Sequence, residues 1–490
     1  MSAESLMLLT LLLPLLGGLG VVITGHTPNL RETVTLVTAS LTAVLVMMIA
    51  GRYMGGESFA YTVAEVVPGI TIAFELESAG MIFALVAGLL WIVTSIYAIG
   101  YMRSHNEENQ TRFFTAFAVA ISCALGIAFS ANLFTLFLFY ELLTLSTYPL
   151  VAHSGTDEAK RGARIYLSLL LATSIGLLLP AILVTWMVAG TVDFQQGGIL
   201  AGKLDPAWGG LLFALFLFGT GKAGLMPFHR WLPSAMVAPT PVSALLHAVA
   251  VVKAGVFTLF KVSSQIFGSA YILSNDVTGI LVWAAAITIL LASLIAMTKD
   301  NLKARLAYST VSQLSYIAMG AMLASKSAFI GATMHIAMHA FSKITLFFAA
   351  GAIFVVTHKK LVSELDGLGR AMPITFGAFL IGTLSIIGLP PFGGLWSKWY
   401  LATGAVEAGQ LLLLGVLMIS TLLNIVYLLP IPIRAFFSTP ASGTHYSEIK
   451  EAPMSILLAM TITSLICIAL FFQPDLLYRL AAEAAGVVAQ

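Results

Sequence analysis

Residues 211–262 read LLFALFLFGTGKAGLMPFHRWLPSAMVAPTPVSALLHAVAVVKAGVFTLFKV, and the rest of the chain can be understood from them. An apolar run carries Lys222, breaks at Pro227, and resumes with His247 and Lys253. A lysine at the centre of a bilayer costs roughly 3 kcal/mol, so it is retained where it faces a protein interior, a partner or water. We interpret this stretch as the middle of an ion path. The alternative is that both lysines snorkel to the membrane surface.

The composition is that of a polytopic membrane protein. Of the 490 residues, 59% are hydrophobic and 9% are charged, whereas soluble domains carry about 25% charged residues. The formal net charge of +2 is too small to indicate a nucleic-acid partner. Cys123 and Cys467 lie alone in apolar segments, so we expect neither a metal nor another cofactor in this chain. The sequence around Lys222 imitates a phosphate-binding loop, but Phe216 and Ala223 stand where that loop needs Gly and Ser or Thr.

Apolar stretches long enough to cross about 30 Å of hydrocarbon predict an all-α polytopic membrane protein with fourteen transmembrane helices (TM1–TM14). They lie near 6–24, 33–51, 78–101, 112–129, 131–152, 164–190, 209–231, 240–262, 277–298, 304–323, 327–356, 373–403, 410–436 and 453–472. TM7 is interrupted at Pro227, and TM12 is interrupted at residues 388–394, just before Lys398.

Matching interruptions in two helices indicate inverted repeats with a path at their interface. We therefore pair TM4–8 with TM9–13, against the alternative of two kinks fixed only by packing. The predicted units are 1–105 (TM1–3), 106–265 (first repeat), 266–437 (second repeat) and 438–490 (TM14 and a short tail).

The distribution of Lys and Arg predicts the orientation. These residues are concentrated in alternate connections, which should be cytoplasmic, and both termini then lie outside. The first apolar segment follows Glu4 without a preceding Lys or Arg, which favours a retained helix over a signal peptide. We expect a multi-pass protein of the cell inner (plasma) membrane.

Glu141 is the deep carboxylate of the predicted helices, and it lies among aromatic residues and leucines. A lysine within about 4–6 Å would favour its charged form, and the two groups would titrate together. We choose Lys222 as its partner. The alternative is a static structural ion pair.

His335, His339 and Lys343 recur every four residues and line one helical face. A histidine can pass a proton between its two ring nitrogens. Two histidines one turn apart could also bind a transition metal, but Lys343 on the same face would repel it. His247 is either an ordinary core histidine or, as we prefer, a functional one.

A row of titratable groups at membrane depth is what a proton relay requires. The candidate relay residues are Glu141, Lys222, His247, Lys253, His335, His339, Lys343 and Lys398.

Four stretches resemble a known family, the antiporter-like subunits of respiratory complex I, membrane-bound hydrogenases and Mrp-type cation/proton antiporters. They are FYEL at 139–142, KAGLMPFHRWLP at 222–233, APTPVSALLHA at 238–248 and HAFSK at 339–343. The resemblance implies fourteen helices in two inverted five-helix repeats. It also implies the TM5 glutamate on Glu141, the TM7 lysine on Lys222, the TM8 groups on His247 and Lys253, the TM11 groups on His335, His339 and Lys343, and the TM12 exit lysine on Lys398.

Within this family the chain looks most similar to the D-type subunits of Mrp antiporters, with hydrogenase-type homologues next. Lys398 stands where complex I subunits of type M have a glutamate, and Lys253 stands where subunits of type L have a neutral residue. The implied function is a proton-translocating subunit of a multisubunit Na⁺/H⁺ antiporter: a secondary transporter subunit and not an enzyme. Its expected partners are other membrane subunits, protons, Na⁺ and the lipid bilayer. The alternatives are the same relay driven by electron transfer in partner subunits, and a membrane scaffold without conduction.

Overall fold

The computed structural model describes residues 1–274, 276–440, 446 and 449–486, without the side chains of 276–278. The N-terminal helices are α1 (Ala3–Ile23), α2 (Pro28–Met54), α3 (Ser78–Ser104), α4 (Gln110–Ala128), α5 (Leu133–Val151), α6 (Asp157–Thr173) and α7 (Leu179–Ala189). The central helices are α8 (Pro206–Gly219), α9 (Trp231–Ser234), α10 (Thr240–Ala244), α11 (Val251–Lys261), α12 (Ser269–Ser274), α13 (Asp276–Thr298) and α14 (Leu302–Leu323). The C-terminal helices are α15 (Lys326–Thr357), α16 (Pro373–Ile387), α17 (Gly394–Glu407), α18 (Leu411–Leu428), α19 (Pro430–Phe437), α20 (Met454–Phe472) and α21 (Asp475–Ala484).

Within the described residues, 11 helical segments are long and apolar enough to cross a membrane. Two of them contain π-helical turns, which join α6 to α7 and α10 to α11. The other predicted segments, near 209–231, 304–323 and 373–403, coincide with α8, α14 and the pair α16–α17. The chain is thus a multi-pass helical membrane protein. The count of fourteen spans, the two repeats and the four unit boundaries stay predictions.

An antiparallel hairpin of β1 (Ala60–Val67) and β2 (Ile70–Glu75) lies between α2 and α3, where we predicted only a connection. Its strands are rich in Val, Ile and Thr, and they flank Pro68 and Gly69, whose φ of +81° suits a tight turn. The hairpin is anchored to the bundle where Ala73 N–H donates to Thr135 Oγ1 at 3.0 Å. An all-α description omits this element because hydropathy alone does not report a short amphipathic hairpin.

Both predicted helix interruptions are present. Helix α8 ends at Gly219 and a 3₁₀ turn, Gly221–Ala223, follows it. Helix α16 ends at Gly388, whose φ of +87° is left-handed, and α17 begins at Gly394. Each interruption frees backbone groups that must be satisfied inside the protein, because hydrocarbon cannot hydrogen-bond them.

The segment Thr240–Phe267 is the centre of the bundle, since every residue of its most apolar window is buried. It packs against the interrupted segment through Gly255, where a Cβ would overlap the backbone of Lys222 and Ala223. Because no face of this segment contacts lipid, its polar side chains point into the protein. Its lysines therefore lie in a protein interior.

Candidate proton-relay site

Lys222 is fully buried at the interruption after α8. Its ammonium donates to the carbonyl oxygen of Tyr140 at 2.8 Å and to Thr144 Oγ1 at 2.6 Å. The same ammonium lies 3.2 Å from the centre of the Tyr140 ring, a cation–π contact. The indole N–H of Trp231 donates to the carbonyl of Gly221 at 2.9 Å and so satisfies one freed backbone group. These contacts exclude snorkelling of Lys222 in this structure.

Glu141 forms no direct ion pair with Lys222 among the described residues, whereas the alternative of a static structural pair would require one. Both carboxylate oxygens are buried without a hydrogen-bond partner, although the carboxylate is close enough to act on Lys222 electrostatically. The reason is geometric: the Tyr140 carbonyl and the Thr144 hydroxyl on the same helix already hold the ammonium. Two unpartnered carboxylate oxygens away from bulk solvent are costly, and water or a partner group would satisfy them.

Lys253 and the histidines of α15 come into contact. Lys253 Nζ lies 2.6 Å from His339 Nδ1, and the His339 and His335 rings have centroids 5.8 Å apart. His335 Nδ1 lies 2.8 Å from Ser397 Oγ at the start of α17. The predicted helical face and the second interruption therefore belong to one connected cluster. The Nε2 atoms of both histidines are buried without a partner.

Lys343 and Lys398 end the row near α18. The buried Lys343 ammonium donates to Ser309 Oγ at 2.6 Å, and Tyr427 OH donates to the same hydroxyl at 2.9 Å. Lys398 donates to the carbonyl of Ile387, the residue at the α16 terminus, at 3.2 Å. The second interruption thus supplies a backbone acceptor to Lys398, whereas the backbone acceptor of Lys222 is the Tyr140 carbonyl of α5.

The row lysines act on one another through the low-dielectric interior. Lys343 acts electrostatically on Lys253, and Lys398 acts on Lys343. No ion pair with a carboxylate is formed by Lys253, Lys343 or Lys398 among the described residues. Like charges repel strongly away from water, so a proton on one lysine opposes a proton on its neighbour. A lysine of this row can therefore lose its proton when a neighbouring lysine gains one.

His247 lies in the π-helical turn between α10 and α11, fully buried against Phe347 at a ring-centroid distance of 4.7 Å. Both of its ring nitrogens lack a hydrogen-bond partner, as do the hydroxyls of Thr240 and Ser243 on the same segment. Buried polar groups without protein partners are sites for ordered water. We call these three side chains, which lie on one segment without hydrogen-bond partners, the polar file.

The polar file begins at a cavity of about 430 Å³, which we call the Lys303 cavity. Thr240 lines it, and Lys303 lines it with its ammonium bonded to the carbonyl of Ala238 at 2.6 Å. Tyr101 and His105, at the end of α3, also line this cavity. Solvent at this end of the bundle therefore reaches the first residue of the file.

A buried ion pair between Lys261 and Glu77 was not predicted, because Glu77 was assigned to a connection and Lys261 to the end of TM8. Lys261 is 2% exposed and contacts the Glu77 carboxylate, which is 28% exposed. The spacing of eight residues between Lys253 and Lys261 on one helix could have indicated that both lysines point into the protein.

Within the described residues, no group of three His, Cys, Asp or Glu side chains could hold a metal ion. His335 and His339 have Lys253, Lys343 and Lys398 as charged neighbours. Cations around the imidazoles disfavour a metal and suit proton exchange.

The fold and the buried row define a class, that of polytopic membrane proteins with titratable side chains at the centre of interrupted helices. Residues 130–424 match the family model described as "NADH:quinone oxidoreductase/Mrp antiporter, TM". The chain therefore belongs to this family of membrane subunits.

Two relatives show the range of sequence similarity. NADH-quinone oxidoreductase subunit N of Desulforudis audaxviator is 32% identical over 405 residues, which cover 82% of this chain and 80% of that protein. NAD(P)H-quinone oxidoreductase chain 5 of Synechocystis sp. is 32% identical over 433 residues, 82% of this chain and 61% of that protein. The chain thus spans most of the first relative and about three fifths of the second.

Two solved structures share the whole fold. A chain of the Mrp complex from Dietzia sp. superposes with a TM-score of 0.87 at 22% identity, covering 99% of this chain and 97% of that one. A chain of the membrane-bound sulfane sulfur reductase, an archaeal respiratory membrane complex, superposes with a TM-score of 0.86 at 23% identity, covering 98% and 97%. Both of those chains belong to membrane complexes.

Proposed function

We propose that this chain is the proton-translocating subunit of a multisubunit Na⁺/H⁺ antiporter, of the D type found in Mrp complexes. The observation that carries the proposal is the contact between Lys253 and His339 inside a fully buried segment. A lysine and an imidazole at hydrogen-bond distance share a proton in either direction, and both are expensive to bury for structural reasons alone. Residues in this arrangement suit a relay.

The proton path in this proposal starts at the Lys303 cavity. Water along Thr240 and Ser243 connects solvent to His247, because these groups are buried and lack protein partners. From His247 the proton passes to Lys253 and His339, and the row continues through His335 and Ser397 to Lys398. Glu141 and Lys222 bias the charge of this row from the other side of α11.

We also propose an orientation in the plasma membrane. The end of the bundle with the Lys303 cavity is cytoplasmic, because the Lys- and Arg-rich connections lie there. Both termini and the β1–β2 hairpin are then outside. The Lys303 cavity would draw protons from the cytoplasm.

A second candidate function is proton pumping driven by electron transfer in partner subunits. The subunit N relative, named as part of an NADH-quinone oxidoreductase, favours it at 32% identity. The two functions differ in their driving force. Vesicles of the native assembly that acidify on addition of NADH, with no response to a Na⁺ gradient, would establish this candidate and exclude the first.

The test of the main proposal is Na⁺-driven proton exchange in vesicles that contain the complete assembly. Lys222→Ala, and Lys222→Met with a more similar volume, should lower the initial rate by at least about tenfold, because the row loses the buried charge that shifts its proton equilibria and a shift of one pKa unit is a factor of ten. Lys203→Ala removes an exposed lysine whose ammonium donates to the Ala189 carbonyl, and it should exchange at the wild-type rate. Exchange by the Lys222 variants at the wild-type rate, with equal amounts of assembly, would instead support the scaffold.

A further inference from the structure

The ion pair of Lys261 and Glu77 spans the boundary between the protein interior and solvent. Lys261 ends α11 and is 2% exposed, with its ammonium 4.1 Å from the Phe194 ring centre. Glu77 precedes the first turn of α3 and is 28% exposed. Gln265 Nε2 donates to the same carboxylate at 2.6 Å. The pair thus joins a buried amine to an acid that water can reach.

The solvent side of this pair is a cavity of about 380 Å³, which we call the hairpin cavity. Its lining includes four carboxylates, those of Glu57, Glu75, Glu77 and Glu483. Arg52 pairs with Glu57 and Lys261 with Glu77, whereas Glu75 and Glu483 have no ion pair within the described part of the chain. The cavity therefore carries excess negative charge and concentrates protons and other cations.

Gln265 adds an unused acceptor to the hairpin cavity. Gln265 is 6% exposed, and its amide oxygen is buried without a hydrogen-bond partner. The orientation of the amide follows from its neighbour: a carboxylate only accepts, so the NH₂ group faces Glu77 and the oxygen faces away. A buried carbonyl beside a wet carboxylate is a position for an ordered water. Such a water would connect Glu77 to the cavity.

Lys261 of the pair lies on the same helix, α11, as Lys253 of the relay. Lys261 follows Lys253 by eight residues on α11, which is about 12 Å of helix. That separation exceeds one hydrogen bond, so transfer between the two amines needs intervening water. Of the residues between them, Thr258 contributes a buried hydroxyl.

The hairpin cavity and the Lys303 cavity lie at opposite ends of the bundle. Ser78, the first residue of α3, lines the hairpin cavity, and Tyr101 in the last turn lines the other. The 27 residues of α3 span about 40 Å. A proton that travelled from one cavity to the other would have crossed the membrane.

We propose that Lys261 and Glu77 form a proton-exit station that connects the relay to the hairpin cavity, an inference that rests on the proposed function. The Lys261 N–H bond breaks and a Glu77 O–H bond forms, which converts the ion pair into a neutral amine and a carboxylic acid. Glu77 then loses the proton to water in the cavity. Lys261 regains a proton from the Lys253 side, which restores the ion pair.

Glu75 supports the station from the same cavity. It lies two residues before Glu77, outside the membrane-spanning segments. Burial, together with the neighbouring Glu77 and Asp193 carboxylates, raises its pKa. A carboxyl that holds a proton more readily beside the exit accepts one from Glu77 more easily than an ordinary surface acid would.

The decisive variant is Lys261→Arg, measured by Na⁺-driven proton exchange in vesicles with the complete assembly. Arginine keeps the charge and the ion pair with Glu77, but its guanidinium does not release a proton in this pH range. We expect the initial rate to fall by at least about tenfold. The matched control is Arg52→Lys in the Arg52–Glu57 pair of the same cavity, which keeps its charge and lies off the path; we expect it to retain the wild-type rate.

A second pair of variants covers the case in which Lys261→Arg does not assemble. Glu77→Gln still accepts a hydrogen bond from Lys261 but cannot take its proton, whereas Glu65→Gln changes the same chemical group on β1, outside the cavity lining. We expect loss only for Glu77→Gln. Wild-type rates for Lys261→Arg or Glu77→Gln, or equal losses in the two controls, would overturn the exit station.

The failure of this inference is distinct from the failure of the proposed function. If Lys222→Ala abolishes exchange and Lys261→Arg does not, the relay stands and its exit lies elsewhere, as at Lys398. If Lys222→Ala leaves exchange intact, the relay itself is refuted, and the exit station is refuted with it.

Discussion

Neutral groups hold each lysine of the row. Lys222 donates to a carbonyl and a hydroxyl, Lys253 meets an imidazole, and Lys343 donates to a hydroxyl. A carboxylate stabilises an ammonium more strongly than a neutral acceptor does. A lysine with neutral partners therefore loses its proton at lower cost than one in a buried ion pair. At the scale of single residues, the site suits proton exchange more than static cross-linking.

His153, in the connection after α5, gives a pH prediction that is independent of transport. Burial and the Arg112 guanidinium lower its pKa to about 4. The folded chain thus binds this proton more weakly than the unfolded chain, in which the pKa is about 6.5. The stability from a neutral His153 is complete above about pH 6.5 and declines as the pH falls toward 4, by at most about 1.4 kcal/mol per unit.

The expected result is a fall in the apparent Tm of the detergent-purified assembly between pH 6.5 and 4. His153→Gln, which cannot titrate there, should show a shallower fall. Glu107 lies 3.8 Å from His153 Nε2 and would offset part of the cost of the charge. Parallel curves for the two proteins would show that His153 does not contribute to this pH dependence.

Among the helices, the critical contact is between α11 and the interrupted segment. Gly255 allows the two backbones to touch, because an added Cβ would overlap the Lys222 carbonyl carbon and the Ala223 nitrogen. Helices approach this closely only where a side chain is missing. The position of the Lys222 ammonium therefore depends on a residue on a different helix.

Gly255→Ala should destabilise the assembly by about 1–3 kcal/mol, the usual cost of overpacking, and should also lower the exchange rate by moving Lys222. Gly279→Ala on α13 is the matched control, since a Cβ there meets nothing within 4 Å. It should be neutral, or stabilising by up to about 1 kcal/mol through helix propensity. Thermal unfolding and vesicle exchange measure the two effects. Equal behaviour of the two variants would show that the close approach is unimportant.

The elements that could be predicted from the sequence are those with strong local signals. Pro227 and residues 388–394 marked both interruptions, because proline removes a helical hydrogen bond and glycine readily leaves the helical conformation. His335 and His339 were placed on one face by periodicity alone. Their contacts with Lys253 and Ser397 were not predictable, because they depend on how separate helices pack.

Tertiary packing also explains what was missed. Glu141 was predicted as the partner of Lys222, but the groups that contact the ammonium, a backbone carbonyl and a hydroxyl of the same helix, were not predicted. Lys261 was placed at the end of TM8, because residues 262–267 continue the helix in π-helical form, which hydropathy does not reveal. The β1–β2 hairpin was omitted for a similar reason. In each case, the structure depends either on a contact between residues that are far apart in the sequence or on a local conformation that a hydropathy profile does not report.

In the whole molecule, one buried row of titratable groups lies between two cavities at opposite ends of α3. The centre of the row is Lys253 with His339. Lys253→Met keeps a long apolar side chain and removes the charge. Because replacing a buried charge with an apolar group is often neutral or stabilising, the apparent Tm should stay the same or rise while transport is lost.

The most direct test is the initial rate of Na⁺-driven proton exchange by the complete assembly with Lys253→Met, compared with wild type at equal abundance in the vesicles. Lys203→Met, at an exposed position, controls for the change of residue type. We expect a rate at least about tenfold below wild type for Lys253→Met and an unchanged rate for the control. A wild-type rate for Lys253→Met would contradict the claim that protons cross the membrane through the buried row.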